Sequence, residues 1–239
     1  MSILARRLAV NSSDTDYDYP PLVIAQNPWG YWSLTEASGS VAADVSGNGR
    51  NASYVSTVTH TTGPFGDSAF NPGATGRIVL PSDTTRDVYS FHCWVKTDAV
   101  GVGDSEETCI VGSYAGISDR MCLALMSTGG LLYYDRWTGT QSGGNYQTIG
   151  GLGIDDTNWH HVAVTAQRGT GARVYVDGAR VFTGTLNSGY ARLNQSLWVG
   201  NFNYSGDTDR TFPGSIAHPA LYQRRLTDTE VADLNLVTP

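Results

Sequence analysis

Side chains alternate between two faces repeatedly along this chain, and that rhythm admits few architectures. Ser90 to Lys96 (SFHCWVK) sends Phe91, Cys93 and Val95 one way and His92, Trp94 and Lys96 the other. Trp159 to Thr165 (WHHVAVT) and Ala172 to Val176 (ARVYV) read as further strands. Asp177-Gly178 then joins the second run to Arg180 to Thr183 (RVFT), the residue pair that favours a tight hairpin turn. Shorter runs rich in β-branched and aromatic residues are Trp29 to Leu34, Ile78 to Leu80, Thr108 to Val111, Met121 to Met126, Leu131 to Tyr134 and Ser196 to Gly200. A helix is expected only after Thr227, where Thr227 and Glu230 have capping-box spacing and Val231 and Leu234 share a face. About a dozen strands without strand–helix alternation are best satisfied by two antiparallel sheets packed face to face, an all-β sandwich with one short C-terminal helix; a barrel or small propeller has the same strand count, but no repeat of about 40 residues supports blades.

The 239 residues suit a single body over residues 22–239, preceded by an N-terminal arm over residues 1–21. In that arm Asp14, Asp16 and Asp18 alternate with Thr15, Tyr17 and Tyr19, and Pro20-Pro21 closes it. Only 15% of residues are charged, against about 25% in an average domain. Glycine, of which there are 28, fills the gap together with Ser, Thr and Asn, as many polar turns demand. The segment Asp44 to Arg50 (DVSGNGR) is one such turn, and Thr138 to Gly153 reads as an irregular Gly-rich loop.

A net charge of −7 with no basic stripe argues against nucleic acid as a partner. Polar residues Asn11 to Asp18 stand where a signal peptide would continue apolar, and no run of about 20 apolar residues offers a membrane span. Cys93, Cys109 and Cys122 lack the C-x-x-C spacing of zinc or redox sites. They read as buried free thiols, with a Cys109–Cys122 disulfide as the alternative that spacing leaves open.

The residues that carry chemistry favour binding over catalysis. Asp104, Glu106 and Glu107 fall in a Gly-rich turn rather than as the paired carboxylates that glycoside hydrolysis uses. His160 and His161 are strand neighbours that point to opposite faces, so they do not converge on one metal. Neither a G-x-S-x-G elbow nor a phosphate-binding loop is present. Tyr133, Tyr134, Asp135 and Trp137 form a candidate sugar site, with aromatic faces to stack on a ring and polar groups to reach hydroxyls. Tyr204 and Asp207 form a second. The same aromatics would serve equally in the core or in a seam between copies. Trp29, Trp32, Trp94 and Trp159 read as packing residues.

Taken in order, several short patterns resemble the laminin G-like, concanavalin A-like domain family over residues 27–236. They are Trp29 to Glu36 (WGYWSLTE), Asp44 to Gly49 (DVSGNG), Asn158 to Val164 (NWHHVAV), Val174 to Gly178 (VYVDG) and Phe212 to Ile216 (FPGSI), then Ala220-Leu221-Tyr222 and Arg225-Leu226-Thr227. The resemblance implies a two-sheet jelly roll, glycan or protein ligands, and often a calcium ion at the rim. For calcium it points to Asp44 with oxygens near Ser46 and Asn48. Many relatives carry an acidic pair where this chain has Ala217-His218, which counts against the ion. Tyr19, Ala25, Asn27, Pro28, Tyr31 and Trp32 further resemble the opening of such domains in phage tail and capsid-surface proteins. That resemblance implies a non-catalytic virion-surface structural protein, with copies of itself and other virion proteins as partners and host glycans as ligands. A stand-alone lectin-like module and a glycoside hydrolase are the alternatives.

Overall fold

The computed structural model describes residues 19–82, 87–100, 108–114, 119–126, 129–137, 145–167, 169–184, 197–202, 210–237 and 239. In chain order its strands are β1 (Gly30–Tyr31), β2 (Val41–Ala42), β3 (Ala52–Val55), β4 (Thr59–Thr62), β5 (Ser68–Asn71), β6 (Arg77–Val79), β7 (Val88–Thr97) and β8 (Thr108–Tyr114). There follow β9 (Asp119–Leu125), β10 (Leu131–Trp137), β11 (Asn145–Ile149), β12 (His160–Gln167), β13 (Gly171–Val176), β14 (Ala179–Gly184), β15 (Trp198–Val199) and β16 (Gly214–Tyr222). Two helices flank them, α1 (Tyr19–Ala25) and α2 (Asp228–Leu234).

The strands form two antiparallel sheets. One runs β14-β13-β12-β7-β16-β5-β4, with β1 also paired to β16; the other runs β11-β10-β9-β8-β15-β6-β3-β2. Between them lies the main core, where Phe91, Cys93 and Val95 of β7 and Val162 and Val164 of β12 join one cluster with Leu123 and Leu125 of β9. Burying each such side chain contributes about 1.5–3 kcal/mol. The Asp177-Gly178 turn sits where the hairpin signal placed it, with Asp177 and Gly178 both at positive φ. Helix α2 begins as read: Thr227 accepts from the Glu230 N–H, and the Glu230 carboxylate accepts from the Thr227 N–H at 2.8 Å.

Four expectations need correction. Trp29 to Leu34 supplies only the two-residue β1 and an isolated bridge from Trp32 to Asp44, because Leu34 turns the chain at positive φ. Part of the Gly-rich stretch is ordered as β11, which pairs with β10 from Leu131↔Ile149 to Asp135↔Asn145. Pro20 and Pro21 open a helix rather than closing an arm, since proline in a first turn needs no N–H partner and already has helical φ. The body therefore starts by residue 19, where Tyr19 is 1% exposed; residues 1–18 lie outside the described residues.

The centre of the sheet containing β7 is buried on both faces, whereas its edge strands β4 and β14 are partly exposed. Its outer face carries Trp94, Ala163, Tyr175, Ala217, Ala220 and Tyr222, in a cluster closed by Tyr19 and Val23 of α1 and Val231 and Leu234 of α2. Three buried histidines lie in this outer layer. His92 meets the Tyr222 hydroxyl at 3.2 Å, His161 packs against His92 and Trp94, and His218 meets the Tyr31 hydroxyl at 2.7 Å and pairs with Asp67. Arg173 and Arg180 hold Asp228 at the start of α2, which fastens the helix to β13 and β14.

Candidate functional site

The best-organised surface feature is built around the DVSGNGR turn. Asp44 is its hub: one carboxylate oxygen accepts from the backbone N–H of Tyr31 at 3.1 Å and of Ser46 at 2.9 Å, the other from Arg50 at 2.8 Å. Partial desolvation pushes the Asp44 carboxyl up, but hydrogen bonds from Ser46, Arg50 and Tyr31 outweigh it and leave the group below the ordinary aspartate value. Gly47 and Gly49 take φ of 87° and 72°, which lets the loop curl over the carboxylate.

From this turn two side chains reach the segment ahead of β1. The Asn48 amide donates to the carbonyls of Pro28 at 3.0 Å and Trp29 at 3.2 Å. Arg50 donates to the Trp29 carbonyl at 2.7 Å and lays its guanidinium over the Trp29 ring, 4.5 Å from the centroid. Across the gap, the Arg224 guanidinium is gripped by both Glu230 oxygens and by the Gln26 carbonyl, so α2 fixes that wall. Between the walls lies a cleft of about 300 Å³, lined by Asn27, Pro28, Trp29, Asn48, Arg50, Gln223 and Arg224. Its size is at the lower end of small-ligand sites. Amides and guanidinium groups dominate the lining, and it includes no carboxylate.

This geometry decides the calcium expectation at Asp44, Ser46 and Asn48. Calcium takes six to eight oxygen ligands at about 2.3–2.6 Å. Both Asp44 oxygens already accept backbone N–H groups, Asn48 turns its nitrogen toward the neighbouring carbonyls, and the Ser46 hydroxyl oxygen accepts from that same amide at 3.1 Å. The Trp29 carbonyl accepts from a cation. These residues do not fit a calcium site; they organise the turn. Ala217 and His218, which stand where many relatives carry the acidic pair, lie buried in the outer layer. Among the described residues no group of three or more His, Cys, Asp or Glu is placed to hold a metal.

Tyr133 leaves the sugar-site set. It is fully buried on the core face of β10 and pairs its hydroxyl with that of Tyr89 at 3.1 Å. An inward position on a sandwich strand has no access to ligand. Tyr134, Asp135 and Trp137 follow on the same strand, opposite Cys122, Met121 and Asp119 of β9; their side chains lie outside the described residues, as do Tyr204, Asp207 and the acidic trio Asp104, Glu106 and Glu107. His160 and His161 part as the alternation requires. His160 is held between Asp177 at 2.8 Å and Asp156 at 3.0 Å, and the bond to Asp177 raises its pKa despite partial burial. Trp32 and Trp94 pack as read, Trp29 is 9% exposed at the cleft, and Trp159 packs against the outer cluster. Sequence reasoning missed the cleft residues Asn27, Arg50, Gln223 and Arg224. Their only local signals were the arginine ending the Gly-rich turn and the Arg224-Arg225 pair.

Solved structures of the same fold are several. Domain 4 of AbnA, an extracellular arabinanase from Geobacillus stearothermophilus solved with arabinotriose, matches with a TM-score of 0.64 at 20% identity, over 86% of this chain and 97% of that one. The binding domain of Paraclostridial Mosquitocidal Protein 1 gives 0.66 at 13% identity, over 89% of this chain and 52% of the other. Trypanosoma rangeli sialidase in complex with sialic acid gives 0.65 at 18%, over 88% of this chain and 33% of that enzyme. The chain thus spans nearly all of the arabinanase domain but about half or less of the other two. No curated protein matches the sequence. The profile of the concanavalin A-like lectin/glucanases superfamily matches residues 72–232, and with two sheets, short turns and this strand order behind that match, the chain belongs to that superfamily in its laminin G-like form.

Proposed function

We propose that the protein is a non-catalytic carbohydrate-binding module whose ligand docks in the cleft between the DVSGNGR turn and Gln223-Arg224. The observation that carries this reading is the convergence of hydrogen-bonding groups, the fixed Asn48, Arg50 and Arg224 together with Gln223, on a concave space of about 300 Å³. Amides and guanidinium groups suit the hydroxyl-rich edge of a sugar. With the Arg50 guanidinium over its ring, Trp29 serves chiefly to hold that arginine in place. The mostly polar, carboxylate-free lining supports binding without glycosidic cleavage, which uses a carboxyl pair in most hydrolases. That domain 4 of AbnA was solved with arabinotriose supports the ligand class.

The wider setting we propose is a virion surface, where the chain assembles with copies of itself and other virion proteins. It rests on the resemblance carried by Tyr19, Ala25, Asn27, Pro28, Tyr31 and Trp32. A single-copy mass by light scattering, with no labelling of particles by an antibody to the chain, would remove that setting and leave the module.

A glycan array followed by calorimetry with the best oligosaccharide tests the site. Arg50→Ala and Gln223→Ala are each expected to weaken binding at least about tenfold, the effect of losing one charge-assisted or buried hydrogen bond. A silent array, or full affinity in both variants, would refute it. Release of reducing ends from the bound glycan would refute the non-catalytic part.

A further inference from the structure

We propose that Cys109 and Cys122 form a disulfide that clasps β8 to β9 on the face of the second sheet opposite the main core, independently of the glycan site. Their sulfurs stand 3.0 Å apart, and both side chains are fully buried. Two local features bring them together. A bulge shifts the register between Cys109 and Val111, so Cys109 stands opposite Ala124 while Gly112 stands opposite Cys122. Ile110 and Val111 thereby both turn into the main core, and Cys109 is left on the outer face with Cys122, Ala124 and Phe202.

The second feature is Gly112. A β-carbon there would come within 2.5 Å of the Phe202 ring and 3.0 Å of the Cys109 sulfur. Its missing side chain opens the space beside Cys122 that the Cys109 sulfur and the Phe202 ring fill. Ordinary diagonal neighbours across two strands stand about 7–8 Å apart, too far to bridge; the bulge and the glycine remove that gap. Cys93, the remaining cysteine, belongs to the main core cluster between the sheets rather than to this outer group.

The co-reactant is a low-molecular-weight disulfide of the oxidised glutathione class. One cysteine thiolate attacks a sulfur of that disulfide and expels a thiolate, giving a mixed disulfide; the second cysteine then attacks the protein-bound sulfur and expels the other. Two protein S–H bonds are lost and one S–S bond forms, while the oxidant's S–S bond becomes two thiols and takes up the two electrons and two protons. Burial under Phe202 requires that this occur before the outer face closes, and it then shields the bond from reductants.

The test refolds the full chain with oxidised glutathione, alkylates free thiols in urea and maps the peptides. The expected result is a Cys109–Cys122 link, Cys93 as the one alkylated cysteine, and a mass lower by two hydrogens. Three alkylated cysteines, or a link that includes Cys93, would overturn the proposal. Dithiothreitol without urea is expected to leave the link intact, and Phe202→Ala to let it be reduced; ready reduction of the native wild type would overturn the shielding. Closing a loop of this length raises the folding equilibrium constant roughly 100-fold. Oxidised wild type should exceed both its reduced form and the Cys109→Ser/Cys122→Ser double variant by that factor in urea titrations, and equal midpoints would overturn the clasp.

Discussion

The two faces of β7 are made from one strand and yet are different materials. Its inner face, Phe91, Cys93 and Val95, belongs to the apolar cluster between the sheets. Its outer face, His92 and Trp94, is equally buried but shares its layer with His161, His218 and the ring of Tyr19. Apolar burial gains from area alone and is indifferent to pH. Burial of His92 and His161, in contrast, disfavours their charged forms and holds both pKa values down. The comparison teaches that equal burial does not mean equal dependence on conditions: the inner layer carries stability, and the outer layer ties part of it to acidity.

Breaking the inner layer should have the largest effect. Phe91→Ala leaves a cavity in the main core and is expected to cost about 3–5 kcal/mol in urea titrations. A loss below about 1 kcal/mol would mean that this core collapses around the gap and is not the close-packed layer its burial indicates.

Acid should strike the outer layer next. Burial pushes the His161 pKa down to about 4 and holds His92 well below the usual histidine value. An unfolded histidine takes its proton near pH 6.5, whereas folded His161 refuses it until about 4. His161 therefore contributes its full stability above pH 6.5, and that contribution falls as the pH drops from there to about 4. The loss from His161 is on the order of 3 kcal/mol. Urea titrations at a series of pH values should show this slope and a shallower one in His161→Leu. Equal slopes in the two proteins would show that the imidazole gains water or a partner in solution.

The smallest expected effect sharpens the comparison at the rim of the outer layer. Thr227→Ala removes the cap of α2 and should cost about 1 kcal/mol. Amide exchange should quicken over Asp228–Leu234 and stay unchanged in β8 and β9. Equal quickening everywhere would mean that α2 is part of the global folding unit rather than a lid upon it.

The legible features were those written in neighbouring residues. The alternation of β7 and β12, the Asp177-Gly178 turn, the Thr227–Glu230 cap and the Gly-rich turn at Asp44 all lie where the sequence placed them. Tyr133 shows the limit. Its strand was read from the run Leu131 to Tyr134, but which face of β10 meets the core depends on a partner sheet remote in sequence, and the inward choice took it out of any ligand site. The cleft was out of reach for a similar reason, since Asn48 and Gln223 come to face one another across one cleft only when β1 pairs with β16.

On its own, then, the sequence determined strands, turns and one capped helix, because backbone geometry and side-chain period act over a few residues. Tertiary structure decided the rest: that β7 and β16 are covered on both sides, that Pro20-Pro21 starts a helix which docks, that a bulge sets Cys109 beside Cys122, and that Arg50 faces Arg224 across a cleft. Each depends on which surfaces meet, and alternation specifies two faces without saying what will cover the second.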